Sequence, residues 1–253
     1  MSTVRVEDRS GGVRVLTLDR PPANAEDETL LTDLSAALDD TRDNTDVRAV
    51  VLTGAGKFFS GGFDLSAPRR ENEQIVIMTN VFRDAHVKLL TMPKPTITMM
   101  NGHAIAGGLI LVLACDYRLG LDGDYKIGLN EVAIGAAYPK VAMEIVRLRL
   151  THQRASELLL GAALYPAGQA IRLGVVDELF PADKLEETVM RRAERMGAFP
   201  REAYVHTKLA LVAETVERVM AETAEEAARG AAIWQTAESR ASRDKQREKL
   251  GKK

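Results

Sequence analysis

The sequence has little of several residue types, and each shortage excludes a class of protein. Its 253 residues include a single cysteine, Cys115, which cannot form a disulfide within the chain. Aromatic residues make up only 5%, but 45% hydrophobic and 28% charged residues are typical of a globular protein, not of a disordered or fibrous one. Lys and Arg number 34 against 36 Asp and Glu, and this balance gives no reason to expect a nucleic-acid partner.

Long apolar runs are missing as well. The longest, over residues 104–115, is too short to cross a bilayer, which takes about 20 apolar residues. The first ten residues include four charged ones and lack the apolar centre of a signal peptide. No spacing of His, Cys, Asp and Glu indicates a metal site. We therefore predict a cytoplasmic protein without a membrane or metal partner.

The hydrophobic pattern of the first half predicts an α/β fold. Two short strands flank the turn Ser10-Gly11-Gly12, which predicts a hairpin. Leucines at helical spacing then follow an acidic cluster, Glu26 to Glu28, that suits the N-terminus of a helix.

Beyond that helix, apolar strand and helix patterns alternate. Short apolar runs over 49–52, 95–100 and 116–120 predict buried strands. Helical patterns over 75–90 and 106–115 separate them. This alternation is typical of a sheet with mostly parallel strands.

From residue 142 onward the pattern is almost wholly helical. Apolar residues recur every three or four positions from Val205 to Ala231, and Val175 with Val176 forms the one clear strand candidate. We predict a core over residues 1–195 and a C-terminal helical region over 196–253 that packs against it.

Two glycine-rich segments follow predicted buried strands. The first, from Thr53, is not a nucleotide-binding loop, because Phe58 and Phe59 stand where a Walker A or dinucleotide motif needs Ser, Thr or Gly. FSGGFDL at 59–65 and NGHAIAGG at 101–108 occupy matching positions, and the second opens a helix whose first N–H groups have no partner within it. Two such N–H groups that converge on one oxygen would form an oxyanion hole.

These segments, with others in the same order, resemble the crotonase (enoyl-CoA hydratase/isomerase) superfamily over essentially the whole chain. The matching segments are LDRPPANA at 18–25, LTGAGKFFSGGFDL at 52–65, NGHAIAGG at 101–108, ACDYR at 114–118, KIGLNEVAIG at 126–135 and LYPAGQAIRLGVVDELF at 164–180. The resemblance implies a spiral of ββα units with C-terminal helices that build trimers, often paired into hexamers. It also implies that the substrate is a coenzyme A thioester and that no further cofactor is needed.

The resemblance assigns roles to individual residues. The backbone N–H groups of Phe63 and Gly107 would form the oxyanion hole, and Glu131 would be the catalytic carboxylate. The loop that binds coenzyme A would include Ala23, Gly61, Asp64 and Leu65.

The carboxylates narrow the expected reaction. Hydratases of this family place one glutamate three residues after the oxyanion glycine and a second just before an IxxG or LxxG sequence. Here Ile110 stands at the first position and Glu131 at the second. Hydration needs one group to activate water and another to protonate carbon, whereas one base suffices to move a double bond from the 3,4 to the 2,3 position.

An apolar residue at the first position together with IGLNE resembles the mitochondrial-type Δ3,Δ2-enoyl-CoA isomerases. We therefore expect isomerisation of 3-enoyl-CoA to 2-enoyl-CoA in fatty-acid oxidation, with Glu131 moving the proton. Two alternatives stay open: an enoyl-CoA hydratase or another crotonase activity, and a CoA-ester-binding protein without catalysis.

The remaining candidates have weaker support. His103 is interpreted as a structural residue before a helix, and Cys115 as an inert core residue. The basic segment 238–253 is either a solvated helix end or a contact for the phosphates of coenzyme A, for which Arg69 and Arg70 are also placed.

Overall fold

Strands and helices alternate along the chain of the computed structural model, which describes residues 2–65 and 71–251. The strands in this part are β1 (Val4–Arg9), β2 (Val13–Leu18), β3 (Ala49–Gly54), β4 (Phe58–Ser60), β5 (Thr96–Met100), β6 (His103–Ile105), β7 (Tyr117–Leu121), β8 (Lys126–Gly128), β9 (Tyr165–Pro166) and β10 (Glu178–Phe180). The helices are α1 (Glu28–Asp43), α2 (Asn72–Leu90), α3 (Gly107–Ala114), α4 (Lys140–Arg149), α5 (His152–Gly161), α6 (Ala170–Leu173), α7 (Ala182–Gly197), α8 (Arg201–Met220), α9 (Ala224–Gln235) and α10 (Ala237–Gly251).

The strands form two sheets that the chain visits in turn. The larger has the order β1-β2-β3-β5-β7-β10, and only β1 is antiparallel to its neighbour. The smaller has the order β4-β6-β8-β9, with β9 antiparallel. Because β3, β5 and β7 are each followed by a strand of the smaller sheet and then by a helix, the chain repeats a ββα unit.

The predicted hairpin and most of the predicted strands and helices of the first half are present. Gly11 and Gly12 both have positive φ, at +68° and +71°, which explains why glycines occupy the turn between β1 and β2. Every residue of β3 is buried. Its continuous apolar run reflects burial on both faces, since α1 to α3 belong to the core on one side and α7 packs on the other.

One prediction for the second half was wrong. Val175 and Val176 are buried but lie outside any strand, because the chain turns at Gly174 with φ +76° and the next strand starts at Glu178. The predicted helical periodicity from Val205 to Ala231 is confirmed, and it runs through two helices, α8 and α9. The break comes at Thr223, whose side chain accepts a hydrogen bond from the N–H of Glu226 and caps α9.

The C-terminal helices fold back over the loop that follows β8. The indole Nε1 of Trp234 donates to the carbonyl of Ala137 at 3.2 Å, and Arg243 donates to the carbonyl of Gly135 at 2.9 Å. The predicted boundary between residues 195 and 196 lies in the last turn of α7, and the division of the chain there remains a prediction. In the described ranges, no helix combines the length and the hydropathy that a membrane span requires.

Candidate active site

Phe63 lies on an extended segment that pairs with the residues before α1. The N–H of Glu26 donates to the carbonyl of Gly62 at 2.8 Å, and the N–H of Asp64 donates to the carbonyl of Glu26 at 3.0 Å. Along an extended chain, successive N–H groups point to opposite sides. The N–H of Phe63 therefore points away from Glu26, to which the neighbouring Gly62 and Asp64 are hydrogen-bonded.

Gly107 is the first residue of α3, where backbone N–H groups have no partner within the helix and the helix dipole favours negative charge. The preceding Ala106 has φ +54° and ψ −127°, so the chain turns sharply into the helix. A Cβ built on Gly62 would lie 2.9 Å from the nitrogen of Gly107. The two segments that carry Phe63 and Gly107 are therefore in direct contact.

Glu131 follows β8 and is 7% exposed. Burial raises the pKa of its carboxyl group to about 7, and an interaction with the hydroxyl of Tyr138 partly offsets the rise. The same hydroxyl donates to the carbonyl of Leu129 at 3.1 Å, which ties the loop to the end of β8. Oε2 of Glu131 is buried and has no hydrogen-bond partner in the part of the chain that the structure describes. A buried carboxylate with a pKa near neutrality is suited to take up and release protons.

Ile110 lies one turn into α3 and is fully buried. All eight residues of this helix are buried, and no polar side chain projects from it. The helix therefore supplies backbone N–H groups to the site and no carboxylate.

The residues predicted to bind coenzyme A lie in two adjacent segments. The carbonyl of Ala23 accepts a hydrogen bond from the N–H of Gly61 at 2.9 Å. Asp64 forms an ion pair of 2.7 Å with Arg20, and the carbonyl of Leu65 accepts from the guanidinium of Arg247 on α10. The structure thus brings all four residues together beside the Phe63 segment. Arg69 and Arg70 lie outside the described residues.

Glu26 is a residue of the site that sequence reasoning missed. The acidic cluster predicted an exposed helix N-terminus, but only Asp27 acts as the N-cap, where its carboxylate accepts from the N–H of Leu30 at 2.8 Å. Glu26 precedes the cap and is 0% exposed, because its backbone pairs with Phe63 and directs the side chain inward. A Cβ built on Gly107 would lie 2.1 Å from Oε2 of Glu26, so the carboxyl group lies directly against the proposed oxyanion residue.

The carboxyl group of Glu26 is held as the neutral acid. Burial raises its pKa to about 8, a hydrogen bond from Ser60 opposes the rise, and the charge of Glu131 adds to it. The hydroxyl of Ser60 is shared between Oε1 of Glu26 at 3.2 Å and the carbonyl of Asn24 at 2.8 Å. Glu26 is thus a second buried carboxyl group of the candidate site, next to Gly107.

His86 on α2 lies in the same buried region. Its Nδ1 is 2.7 Å from the carbonyl of Phe82, and since a carbonyl only accepts, Nδ1 carries the hydrogen. Burial lowers the pKa of this histidine to about 4, although backbone contacts with Phe82 and Gly107 partly offset the effect. The ring is therefore neutral at physiological pH, and Nε2 is an acceptor without a proton to give.

The two residues interpreted as structural lie away from these carboxyl groups. Nδ1 of His103 accepts from the N–H of Lys126 at 3.0 Å, and its ring stacks on Phe58 with centroids 4.6 Å apart. Cys115 is buried at the end of α3, and burial raises the pKa of its thiol to about 11. Such a thiol is a poor nucleophile.

Comparison with known proteins identifies the family to which this site belongs. The sequence profile of the enoyl-CoA hydratase/isomerase family matches residues 8–253. A probable enoyl-CoA hydratase of Mycobacterium avium is 30% identical over 201 residues, which are 79% of this chain and 78% of that protein. The human mitochondrial enoyl-CoA delta isomerase 1 is 27% identical over 216 residues, which are 84% of this chain and 72% of that protein.

The fold agrees with the sequence match. The crystal structure of human mitochondrial delta3-delta2-enoyl-CoA isomerase superposes with a TM-score of 0.94 at 25% identity, covering 99% of this chain and 98% of that one. The chain belongs to the enoyl-CoA hydratase/isomerase family, and the predicted crotonase-like spiral is confirmed. Within the described ranges, no group of three or more His, Cys, Asp and Glu side chains could hold a metal ion.

Proposed function

We propose that the protein isomerises 3-enoyl-CoA thioesters to 2-enoyl-CoA. The observation that carries this proposal is the pair of positions that hydratases use for glutamates. Glu131 is a buried carboxylate whose Oε2 has no partner among the described residues, and Ile110 is fully buried and apolar. A single base at the Glu131 position can remove a proton from C2 and return it to C4. A helix whose first turn lacks a carboxylate cannot hold a water molecule between two acids.

The backbone N–H groups of Phe63 and Gly107 would bind the thioester oxygen and stabilise the dienolate that forms when C2 loses its proton. Contact between the two segments and the unused N–H at the start of α3 support this role. Ala23, Gly61, Asp64 and Leu65 would bind the coenzyme A portion, beside the oxyanion residues. The proposed place of the reaction is fatty-acid oxidation, and no cofactor other than the coenzyme A of the substrate is required.

The proposed assembly is a homotrimer or a hexamer in the cytoplasm. Exposed apolar side chains on α8 support an interface there, with Leu211 65% and Met220 61% exposed. The size of the assembly is measurable by light scattering.

Enoyl-CoA hydratase is the second candidate. The specific observation that favours it is the second carboxyl group, Glu26, which supplies a possible partner for Glu131 despite the isoleucine at position 110. A side-by-side assay of 3-enoyl-CoA isomerisation and 2-enoyl-CoA hydration tests the proposal. Faster hydration than isomerisation would favour the hydratase, and no turnover of either would favour a protein that only binds CoA esters.

The pH dependence of isomerisation should follow the ionisation of Glu131. The base must be deprotonated to accept the C2 proton, and the pKa of Glu131 is about 7. We expect kcat/KM to fall about tenfold for each pH unit below 7. A kcat/KM that stays constant down to pH 5.5 would contradict this role, since an exposed glutamate with an ordinary pKa would give that result.

Replacing Ile110 with glutamate should introduce hydration of 2-enoyl-CoA. The new carboxyl group would stand where family hydratases carry one and could hold water together with Glu131. Burial of a carboxyl group on an apolar helix costs several kcal/mol unless it is protonated or solvated, so thermal unfolding must be measured first. Ile110→Gln controls for polarity and size. A folded Ile110→Glu enzyme with no hydration above that control would show that this position does not decide the reaction.

A further inference from the structure

Several buried polar atoms of the candidate site have no hydrogen-bond partner among the described residues. In the ranges that the structure describes, four buried side-chain atoms lack a hydrogen-bond partner, and three of them belong to Glu26, His86 and Glu131. Buried polar groups are almost always satisfied in native proteins, so an unsatisfied group calls for an explanation such as a bound ligand. Glu131 already has a role in the proposed reaction, which leaves Glu26 and His86 without one.

Glu26 is the better placed of these two to deliver a proton. His86 is neutral, and its one hydrogen is bonded to the carbonyl of Phe82. Glu26 has the opposite character, because it is a protonated acid near neutral pH. Oε1 lies 3.2 Å from the hydroxyl of Ser60, whereas Oε2, which has no partner among the described residues, is the atom that faces Gly107.

The position of Glu26 relates it to the reacting carbons. A thioester oxygen bound to the N–H of Gly107 would place the carbonyl carbon beside Gly107, the residue that the carboxyl group of Glu26 contacts. Glu26 approaches from the segment before α1, and Glu131 approaches from the loop after β8. Both carboxyl groups are buried, and the charge of Glu131 contributes to the raised pKa of Glu26.

A cluster of aromatic rings lies beside Gly107, the residue that the carboxyl group of Glu26 contacts. The rings of Phe63 and Phe82 meet edge to face with centroids 4.9 Å apart, and the ring of Trp234 lies 5.8 Å from that of Phe63. A Cβ on Gly107 would lie 3.1 Å from the ring of Phe82 as well as 2.1 Å from Glu26. The ring of Phe82 and the carboxyl group of Glu26 thus lie on the same side of Gly107, and among the described residues no cation forms an ion pair with Glu26.

We propose that Glu26 is a second catalytic residue, which protonates C4 of the dienolate after Glu131 has removed the proton from C2. This proposal rests on the proposed isomerase function. In it, Glu26 and not Glu131 delivers the proton to C4. The carboxylate of Glu131 takes the C2 proton, and the electron pair of that C–H bond forms the dienolate. The thioester carbonyl then re-forms, the double bond moves to C2–C3, and C4 takes the proton from Oε2 of Glu26. A proton passed through water from Glu131 to Glu26 restores both groups.

Two substitutions at position 26 test the role. Glu26→Gln keeps a hydrogen-bond donor but has no transferable proton, and Glu26→Leu removes both. We expect kcat for 3-enoyl-CoA to fall by at least about 10²-fold in both variants, with KM within about fivefold of the wild type. Glu144→Gln is the matched control, because Glu144 is another buried glutamate, which pairs with Arg147 on α4 and Arg218 on α8. Its kcat should be unchanged.

Folding separates a catalytic role from a structural one. Leucine at a buried site without an ionic partner should leave the thermal midpoint of unfolding equal to or above that of the wild type, since the cost of burying a polar group is removed. A lower midpoint in Glu26→Leu would show that Glu26 stabilises the fold and would overturn the proposal. Near-normal kcat in either variant would overturn it as well, and activity retained only in Glu26→Gln would assign a hydrogen bond in place of proton transfer.

A label experiment on the wild type needs no variant. Substrate deuterated at C2 is converted in ordinary water in a single turnover with enzyme in excess, and the product is analysed for deuterium at C4. We expect protium at C4, because Glu26 delivers its own proton. Deuterium at C4 would show that Glu131 returns the proton it removed and would overturn the role of Glu26. A wild type that does not isomerise 3-enoyl-CoA at all would overturn the proposed function itself. That outcome is distinct from protium at C4 and from deuterium at C4, both of which require isomerisation.

Discussion

Replacing Glu131 with glutamine should lower the turnover of 3-enoyl-CoA by about 10²–10⁴-fold, or more, while binding of the CoA ester persists. Glutamine preserves the shape of the side chain but cannot accept a proton from C2. The loss should appear in kcat with little change in KM. Steady-state kinetics measure kcat and KM, and calorimetric titration with an unreactive acyl-CoA measures the binding.

The control for Glu131→Gln is again Glu144→Gln, which removes a buried carboxylate at a distance from the site. A Glu131→Gln enzyme with near-normal isomerisation would contradict the mechanism, whatever the state of Glu26. If only hydration were lost, Glu131 would be the base of the enoyl-CoA hydratase reaction, the second candidate function.

Gly107→Ala should be the second most damaging substitution, with activity reduced by about 10²–10³-fold. Alanine suits the backbone of a helix, so the loss comes from space alone. Its Cβ would lie 2.1 Å from Oε2 and 2.9 Å from Cδ of Glu26, and Glu26 is 0% exposed. Either Glu26 or the first turn of α3 must move, and each movement disturbs the N–H that would bind the thioester oxygen.

Gly168→Ala is the matched control, because a Cβ at that position meets nothing within 4 Å. It should leave activity unchanged. A crystal structure with a bound acyl-CoA or enolate mimic gives the direct measurement: the thioester oxygen should lie within about 2.7–3.1 Å of the nitrogens of Phe63 and Gly107. An oxygen bound elsewhere in a productive complex would contradict the oxyanion assignment.

The second carboxyl group changes how the isoleucine at position 110 is interpreted. In sequence, Ile110 leaves Glu131 as the one carboxylate of the family pattern. In the structure, Glu26 reaches the same region from a different element, so the number of acids in the site does not follow from the two family positions alone. The choice between isomerase and hydratase therefore depends on where these two acids stand relative to the substrate carbons.

The sequence by itself determined what depends on local pattern. The hairpin follows from two glycines that tolerate positive φ, and the buried strands follow from short apolar runs. The resemblance carried by six ordered segments led to the family and the crotonase fold, which no hydrophobic periodicity reveals. It also selected Phe63, Gly107 and Glu131 as candidates, although their roles remain predictions.

Tertiary structure alone decided the features that depend on distant contacts. Val175 and Val176 are apolar because they fill the core, which the local pattern cannot distinguish from a strand. In the sequence, Glu26 is one of three acids at the start of a helix. Only the pairing of its backbone with Phe63 turns its side chain inward. A carboxyl group acquires a pKa near neutrality from burial and from another charge across the fold, and neither is encoded in the residues beside it in sequence.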